Sequence, residues 1–198
     1  NDAGNTTQGA GAVAVGGAAG YTGQGNFAVA VGNDAGNTTQ GYGATAVGNS
    51  SGSNTQGNFA VAIGFNAGTT SQGISAVAIG DTAGKTNQGE DSIAIGKEAG
   101  ETNQAANSIV INATGIALQN TTASSLVIKP IRSAVGTTML MYDATTGEVT
   151  HTASPVITGD ITGSVFGDDS TLLVDGINNK IVGAVDTASL RTSDNNIA

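Results

Sequence analysis

The chain has 198 residues, with six basic and fifteen acidic side chains for a net charge of −9, and it holds 31 glycines, two prolines, one histidine and no cysteine. Aromatic residues are 4% and charged residues 11% of the total, against about 25% charged in an ordinary domain. Collagen, an acidic disordered tail, disulfide frameworks, cysteine metal sites and membrane-spanning helices are thereby excluded.

The charge is spread over the chain, with two Lys and seven acids before residue 113, four basic and eight acidic groups after it, and Lys85 as the first basic residue. Such a field repels a phosphate backbone, so nucleic acid is not an expected partner. No signal peptide and no membrane-inserting segment is legible. The chain opens on Asn1 rather than Met, as a fragment or a processed chain would.

The first element is a repeat of sixteen residues in seven copies over 1–112. Gln8, Gln24, Gln40, Gln56, Gln72, Gln88 and Gln104 form one column without exception. Glycine columns run from Gly4 to Gly100, from Gly9 to Gly89 and from Gly16 to Gly96, the last closing at Asn112. A sixteen-residue unit is too short for a helical hairpin repeat, and three glycine columns destabilise helices. Each unit holds one clear strand, such as Ala60-Val61-Ala62-Ile63, and its other half, such as Ala67-Gly68-Thr69-Thr70-Ser71-Gln72, reads as a second short strand. Two strands and two tight turns make one coil of a parallel β-solenoid, with coils about 4.8 Å apart.

Side-chain alternation assigns the faces of the clear strand. Val13, Val15, Val29, Val31, Val61, Ile63, Val77, Ile79, Ile93 and Ile95 are the expected core of the roll. Ala14, Ala30, Ala46, Ala62, Ala78 and Ala94 lie on the opposite face and are the expected packing stripe of an oligomer. Small side chains allow close approach, and rotational symmetry suits one such face per coil. The glutamine column is expected to stack as an amide ladder.

The units Asn58-Phe59-Ala60-Val61-Ala62-Ile63-Gly64 and Asp91-Ser92-Ile93-Ala94-Ile95-Gly96 resemble the head repeat of trimeric autotransporter adhesins of the YadA type. That resemblance implies a left-handed parallel β-roll and three rolls around a threefold axis. The family's unit is nearer fourteen residues. The sixteen-residue form with its added Gln-Gly column resembles fibre proteins of marine bacteriophages and algal viruses. The resemblance covers residues 1–112 and carries over no catalytic residue.

Residues 113–155 read as a connector. Ser125–Arg132 is an extended segment broken by Pro130. Thr138–Tyr142 and Glu148–His151 flank Asp143-Ala144-Thr145-Thr146-Gly147 as a hairpin. Ser125–Thr152 resembles a connector of viral tail fibres. Residues 156–198 form a small β-rich segment, with strands expected over 161–166, 171–175 and 180–182. It is too small to bury a core alone, so an intertwined trimer is expected. The closing Asp194-Asn195-Asn196-Ile197-Ala198 echoes Glu90-Asp91-Ser92-Ile93-Ala94, as if another coil followed. No heptad pattern marks a coiled coil.

No constellation for catalysis stands out. His151 alternates with Val149 on the expected hairpin and reads as a surface or interface residue. Asp168, Asp169 and Asp175 lack the spacing of calcium loops and read as turn acids. Glu90 and Asp91 have no acid column beside them to pair with as glycosidase carboxylates. The threonine column (Thr6, Thr22, Thr38, Thr70, Thr86, Thr102) is the pattern of an ice-binding face, but Asn54 interrupts it. No cofactor, no metal and no enzymatic activity are expected.

The expected fold is therefore all-β: a homotrimeric left-handed parallel β-roll of seven coils followed by β-rich connector modules. The expected function is a structural and adhesive fibre segment of a virion tail fibre that presents a host receptor or glycan surface in three copies. A bacterial cell-surface adhesin is the alternative, and a capsule depolymerase or an ice-binding solenoid stand behind it. The expected presentation surface is Tyr21, Phe27, Tyr42, Phe59, Phe65 and Ile74.

Overall fold

A computed structural model describes residues 2–131 and 139–152, together with the strands Ser164–Phe166, Leu172–Asp175 and Lys180–Ile181. The chain divides into two units, Asn1–Ser133 and Ala134–Ala198. The described residues are all-β, with no helix.

The first unit is a parallel β-solenoid of about eight coils. One sheet has six strands in sequence order: Thr6–Gln8, Thr22–Gln24, Thr38–Gln40, Asn54–Gln56, Thr70–Gln72 and Thr86–Gln88. Each ends on the glutamine of the repeat. The other, aliphatic sheet has eight: Val13–Val15, Val29–Val31, Thr45–Val47, Val61–Ile63, Val77–Ile79, Ile93–Ile95, Ile109–Asn112 and Leu126–Lys129. Register follows the period, so Val61, Ala62 and Ile63 pair with Val77, Ala78 and Ile79.

Glycine serves the roll in two ways. At Gly57 a Cβ would stand 2.6 Å from the backbone of Gly73 in the next coil, so the column exists because neighbouring backbones touch there. At Gly68 the backbone has φ +52, and a Cβ would stand 2.7 Å from Gln72 Oε1. Only glycine meets both conditions cheaply.

The faces of the aliphatic strand are the reverse of those expected from side-chain size. Ala30, Ala46, Ala62, Ala78 and Ala94 are fully buried inside the roll, and Ala14 packs against them at the first coil. Val13 and Val15 are 44% and 55% exposed, and Ile63, Ile79 and Ile95 are 36–39% exposed. Val29, Val31, Val61, Val77 and Ile93 are half-buried on the same outer side. The alanines are thus the core, and the branched residues are the surface. The reason is depth: in the first six coils two three-residue strands and two tight corners enclose room for alanine, glycine and one glutamine, and a branched side chain enters only in the last coils, at Val110. Thr45, which replaces valine in an otherwise aliphatic column, is the sequence sign that this column faces outward.

The glutamines brace the interior. Gln24, Gln40, Gln56, Gln72, Gln88 and Gln104 are 2–3% exposed. Each Nε2 crosses the roll to donate to a carbonyl of the aliphatic sheet, as Gln56 does to Thr45 at 2.8 Å, and also to a carbonyl four residues on, as Gln56 does to Ala60 at 3.2 Å. An amide ladder forms only where Gln72 donates to Gln88 Oε1 at 3.1 Å and Gln88 to Gln104 Oε1 at 3.4 Å. In the earlier coils the strut to the backbone replaces the expected ladder. There Gln24, Gln40 and Gln56 leave Oε1 buried without a hydrogen-bond donor. The site of the missing Cβ of Gly20, Gly36 and Gly52 lies 2.6–2.8 Å from those oxygens, so a side chain at these positions would collide with the struts.

The roll also passes Asn112, the expected end of the repeat. Ile109, Val110, Ile111 and Asn112 pair in parallel with Leu126, Val127, Ile128 and Lys129, so residues 113–129 make an eighth coil one residue longer than the others. Asn120 takes the place of glutamine, is 4% exposed and donates to Ile109 O at 3.4 Å. The shorter amide and the larger Val110 and Leu118 in the core of these last coils hid this coil from the repeat pattern.

The second unit is described in two pieces. Met139–Tyr142 and Val149–Thr152 form an antiparallel hairpin with Leu140 opposite His151 and Tyr142 opposite Val149. Ser164–Phe166, Leu172–Asp175 and Lys180–Ile181 form a three-stranded antiparallel sheet. The expected strand residues 161–163, 171 and 182, the turn at 167–170 with Asp168 and Asp169, the turn at 176–179 and the echo at 194–198 lie outside the described residues.

In the hairpin turn, Asp143 Oδ1 accepts from Thr145 N at 2.7 Å and Thr146 N at 3.2 Å. These backbone bonds hold its pKa below the ordinary 3.8. A depressed pKa means that the carboxylate supports the turn above pH 3.8 and that this support is lost as pH falls through the lowered value. The Thr145 and Thr146 amide resonances should therefore titrate together with a midpoint under 3.8, and Asp143→Asn should abolish that titration. A midpoint at or above 3.8 would contradict the turn geometry.

Candidate functional site

The described residues contain no group of three or more His, Cys, Asp or Glu side chains that could hold a metal. No helix among them is long and apolar enough to cross a membrane. Glu90 and Asp91 are exposed at a corner of the roll. Lys85 and Glu101 approach to 3.7 Å and Lys97 and Glu98 to 3.4 Å as solvent-facing pairs, which contribute little to stability. Thr6, Thr22, Thr38, Thr70 and Thr86 share one sheet and Thr102 a bridge beside it, with Asn54 in the same file. The next position along has a left-handed backbone at Thr39, Thr55, Ser71 and Asn87 (φ +53 to +60).

Two surfaces have organised chemistry. The first is the outer side of the aliphatic sheet. Of the sixteen outward positions in its eight strands, fifteen are Val, Ile or Leu, and Thr45 is the exception. The eighth coil adds Leu126 and Ile128 to this face, which the period alone did not reach.

The second surface is the corner that leads from the glutamine strand into the aliphatic strand. Four of the six expected presentation residues meet there: Phe27, Tyr42, Phe59 and Ile74, all exposed. Phe27 and Tyr42 have ring centroids 5.6 Å apart at 80°, and Tyr42 and Phe59 5.5 Å at 73°. Both pairs are the edge-to-face arrangement that aromatic quadrupoles favour. Phe65 is exposed on the other corner, just after Gly64, and Tyr21 is half-buried ahead of the strand Thr22–Gln24. Those two stand apart from the aromatic file.

The second position of this corner is left-handed in every coil, at Gly11, Phe27, Gly43, Phe59, Ser75, Asp91 and Asn107. Phe27 and Phe59 each have φ +58, a left-handed conformation that costs a bulky residue roughly 1–3 kcal/mol. Gly11 and Gly43 occupy the same place in the alternate coils, with φ +68 and +62. The phenylalanine rings lean over them: a Cβ on Gly43 would stand 3.2 Å from the Phe59 ring. Ring and glycine alternate because coils stacked about 4.8 Å apart leave no room for a leaning ring in each one.

Asn26 and Asn58 precede the two phenylalanines and were not legible as part of this surface. Asn26 Oδ1 accepts from Ala10 N at 3.0 Å and Asn58 Oδ1 from Tyr42 N at 2.9 Å. Both residues are exposed. Compared with protein-family models, with curated proteins and with solved structures, the chain matches none.

Proposed function

We propose that this chain is a segment of a homotrimeric adhesive fibre, in which three rolls pack through their aliphatic faces and display their corners outward. The observation that carries the reading is the outer face of the eight-stranded sheet, aliphatic at every outward position but Thr45. Single exposed apolar residues are ordinary, whereas a contiguous face of this kind marks an association surface. At roughly 1 kcal/mol for each half-exposed side chain covered, fifteen of them contribute on the order of 15 kcal/mol per subunit, which matches the upper end of association costs of about 4–15 kcal/mol.

The threefold arrangement and the left hand of the roll rest on the resemblance of the coil to the YadA-type head repeat. The stripe that meets the neighbours is the valine and isoleucine one, since the alanines are spent on the roll interior. The sixteen-residue unit and the connector that follows favour a phage tail fibre or a related viral appendage as the source. A bacterial surface adhesin shares the same assembly. In either setting the roll acts as a stiff spacer that presents weak sites in three copies, and avidity supplies the strength.

Light scattering tests the assembly. A mass of three times 19.2 kDa is expected, and a single-chain mass would overturn the reading.

A further inference from the structure

We propose that the aromatic file at Phe27, Tyr42 and Phe59 is a binding site for an uncharged saccharide chain lying along the roll axis. This inference rests on the adhesive reading above and names its ligand class. Three features of the corner support it.

The first is that the fold does not require the rings. The chain itself places glycine at the same corner position in alternate coils, Gly11 and Gly43, with the same left-handed backbone. Phe27 and Phe59 hold that backbone at a steric disadvantage, and both rings remain more than half exposed. A residue that brings strain and leaves its surface in water is accounted for by something that covers it.

The second is the polar set beside the rings. The amide oxygens of Asn26 and Asn58 are used by backbone N–H groups, so each side chain is held in place. Their Nδ2 groups and the Tyr42 hydroxyl have no partner among the described residues. Rings that cover the apolar C–H face of a pyranose, with fixed donors aimed at its hydroxyls, are the combination by which proteins hold sugars.

The third is charge and step. This corner carries no charged residue in the coils of Phe27, Tyr42, Phe59 and Ile74; the first are Glu90 and Asp91, one coil further on. With a net charge of −9, the chain disfavours anionic glycans. The two Asn-Phe units are two coils apart, about 10 Å, with Tyr42 between them. Consecutive sugars in an extended β-linked chain advance by about one coil spacing each, so alternate sugars would meet Phe27 and Phe59.

The test uses the full chain with soluble neutral polysaccharides (a β-1,4-glucan oligomer, mannan, galactan) and alginate as the anionic comparator. Binding is read by calorimetry, and the assembly by light scattering on the same samples. The variant is Phe27→Gly with Phe59→Gly, which adopts the residue of the alternate coils and keeps the corner geometry. We expect the native chain to bind at least one neutral polysaccharide more tightly than alginate. The double variant should bind it roughly tenfold or more weakly, the loss that corresponds to about 1.4 kcal/mol, with its mass unchanged. No binding to any neutral polysaccharide, equal binding by the variant, or a preference for alginate would overturn the proposal. A variant that loses thermal stability while the native chain binds no sugar would show that the rings only brace the coils, and would overturn it as well. A single-chain mass with sugar binding intact would overturn the trimer and leave this site standing.

Discussion

Ala62→Asp unfolds the roll, whereas Val61→Asp combined with Ile63→Asp leaves each chain folded and separates the assembly. Ala62 is fully buried between the two sheets, in a space that alanine, glycine and the glutamine struts already fill. A carboxylate there is desolvated with no cation beside it, which costs several kcal/mol even after relaxation. In a solenoid each coil rests on its neighbours, so damage at the fourth coil splits the stack into halves too short to stand well alone. Val61 and Ile63 are on the outer face of the same strand, where a single roll leaves an aspartate hydrated. In a trimer the same two changes place six like charges in an apolar contact. Circular dichroism should show a lost transition for the first variant and a retained β-spectrum for the second, with light scattering reporting single chains. Unfolding by the outer pair, together with a native-like Ala62→Asp, would reverse the face assignment.

Gln56→Glu should be the most damaging isosteric change in the chain. The side-chain shape is kept, but the Nε2 that donates to Thr45 O at 2.8 Å and Ala60 O at 3.2 Å becomes a second acceptor. A buried carboxylate oxygen then faces two carbonyl oxygens. Two hydrogen bonds are lost and an unpaired charge is buried, for a total of about 3–5 kcal/mol at neutral pH. Protonation restores a donor, so the folded-state pKa of the introduced carboxyl would be raised above the ordinary glutamate value of about 4.3. The folded state then binds the proton more tightly than the unfolded one. The variant is therefore least handicapped below about pH 4.3, and it loses stability as pH rises toward the raised pKa. Thermal melts of both proteins from acidic to mildly alkaline pH measure this. Equal midpoints at neutral pH would mean that the amide is not a strut.

Period and composition by themselves determined the class of the fold. The columns of Gln and Gly recur at sixteen residues because each coil stacks on an identical one, and identical places demand identical residues. That logic needs no coordinates, and it located the short strands, the coil boundaries and the hairpin around Asp143–Gly147. It also singled out Phe27, Tyr42, Phe59 and Ile74 as departures from the repeat. Tertiary closure decided which side of the aliphatic strand lies inside. Alternation separates Val61 and Ile63 from Ala62, but it cannot say how deep the interior is. Depth depends on how closely the two sheets approach, which the glutamine struts between the sheets fix. The eighth coil was equally illegible, because Asn120 reaches the aliphatic sheet as glutamine does while breaking the column that marks a coil. The pairing of Phe27, Tyr42 and Phe59 into one file, with Phe65 and Tyr21 elsewhere, depended on which corner each residue turns. Neighbours in that file are fifteen to seventeen positions apart in sequence, and only the stacking of coils at the spacing of β-strands brings their rings into contact.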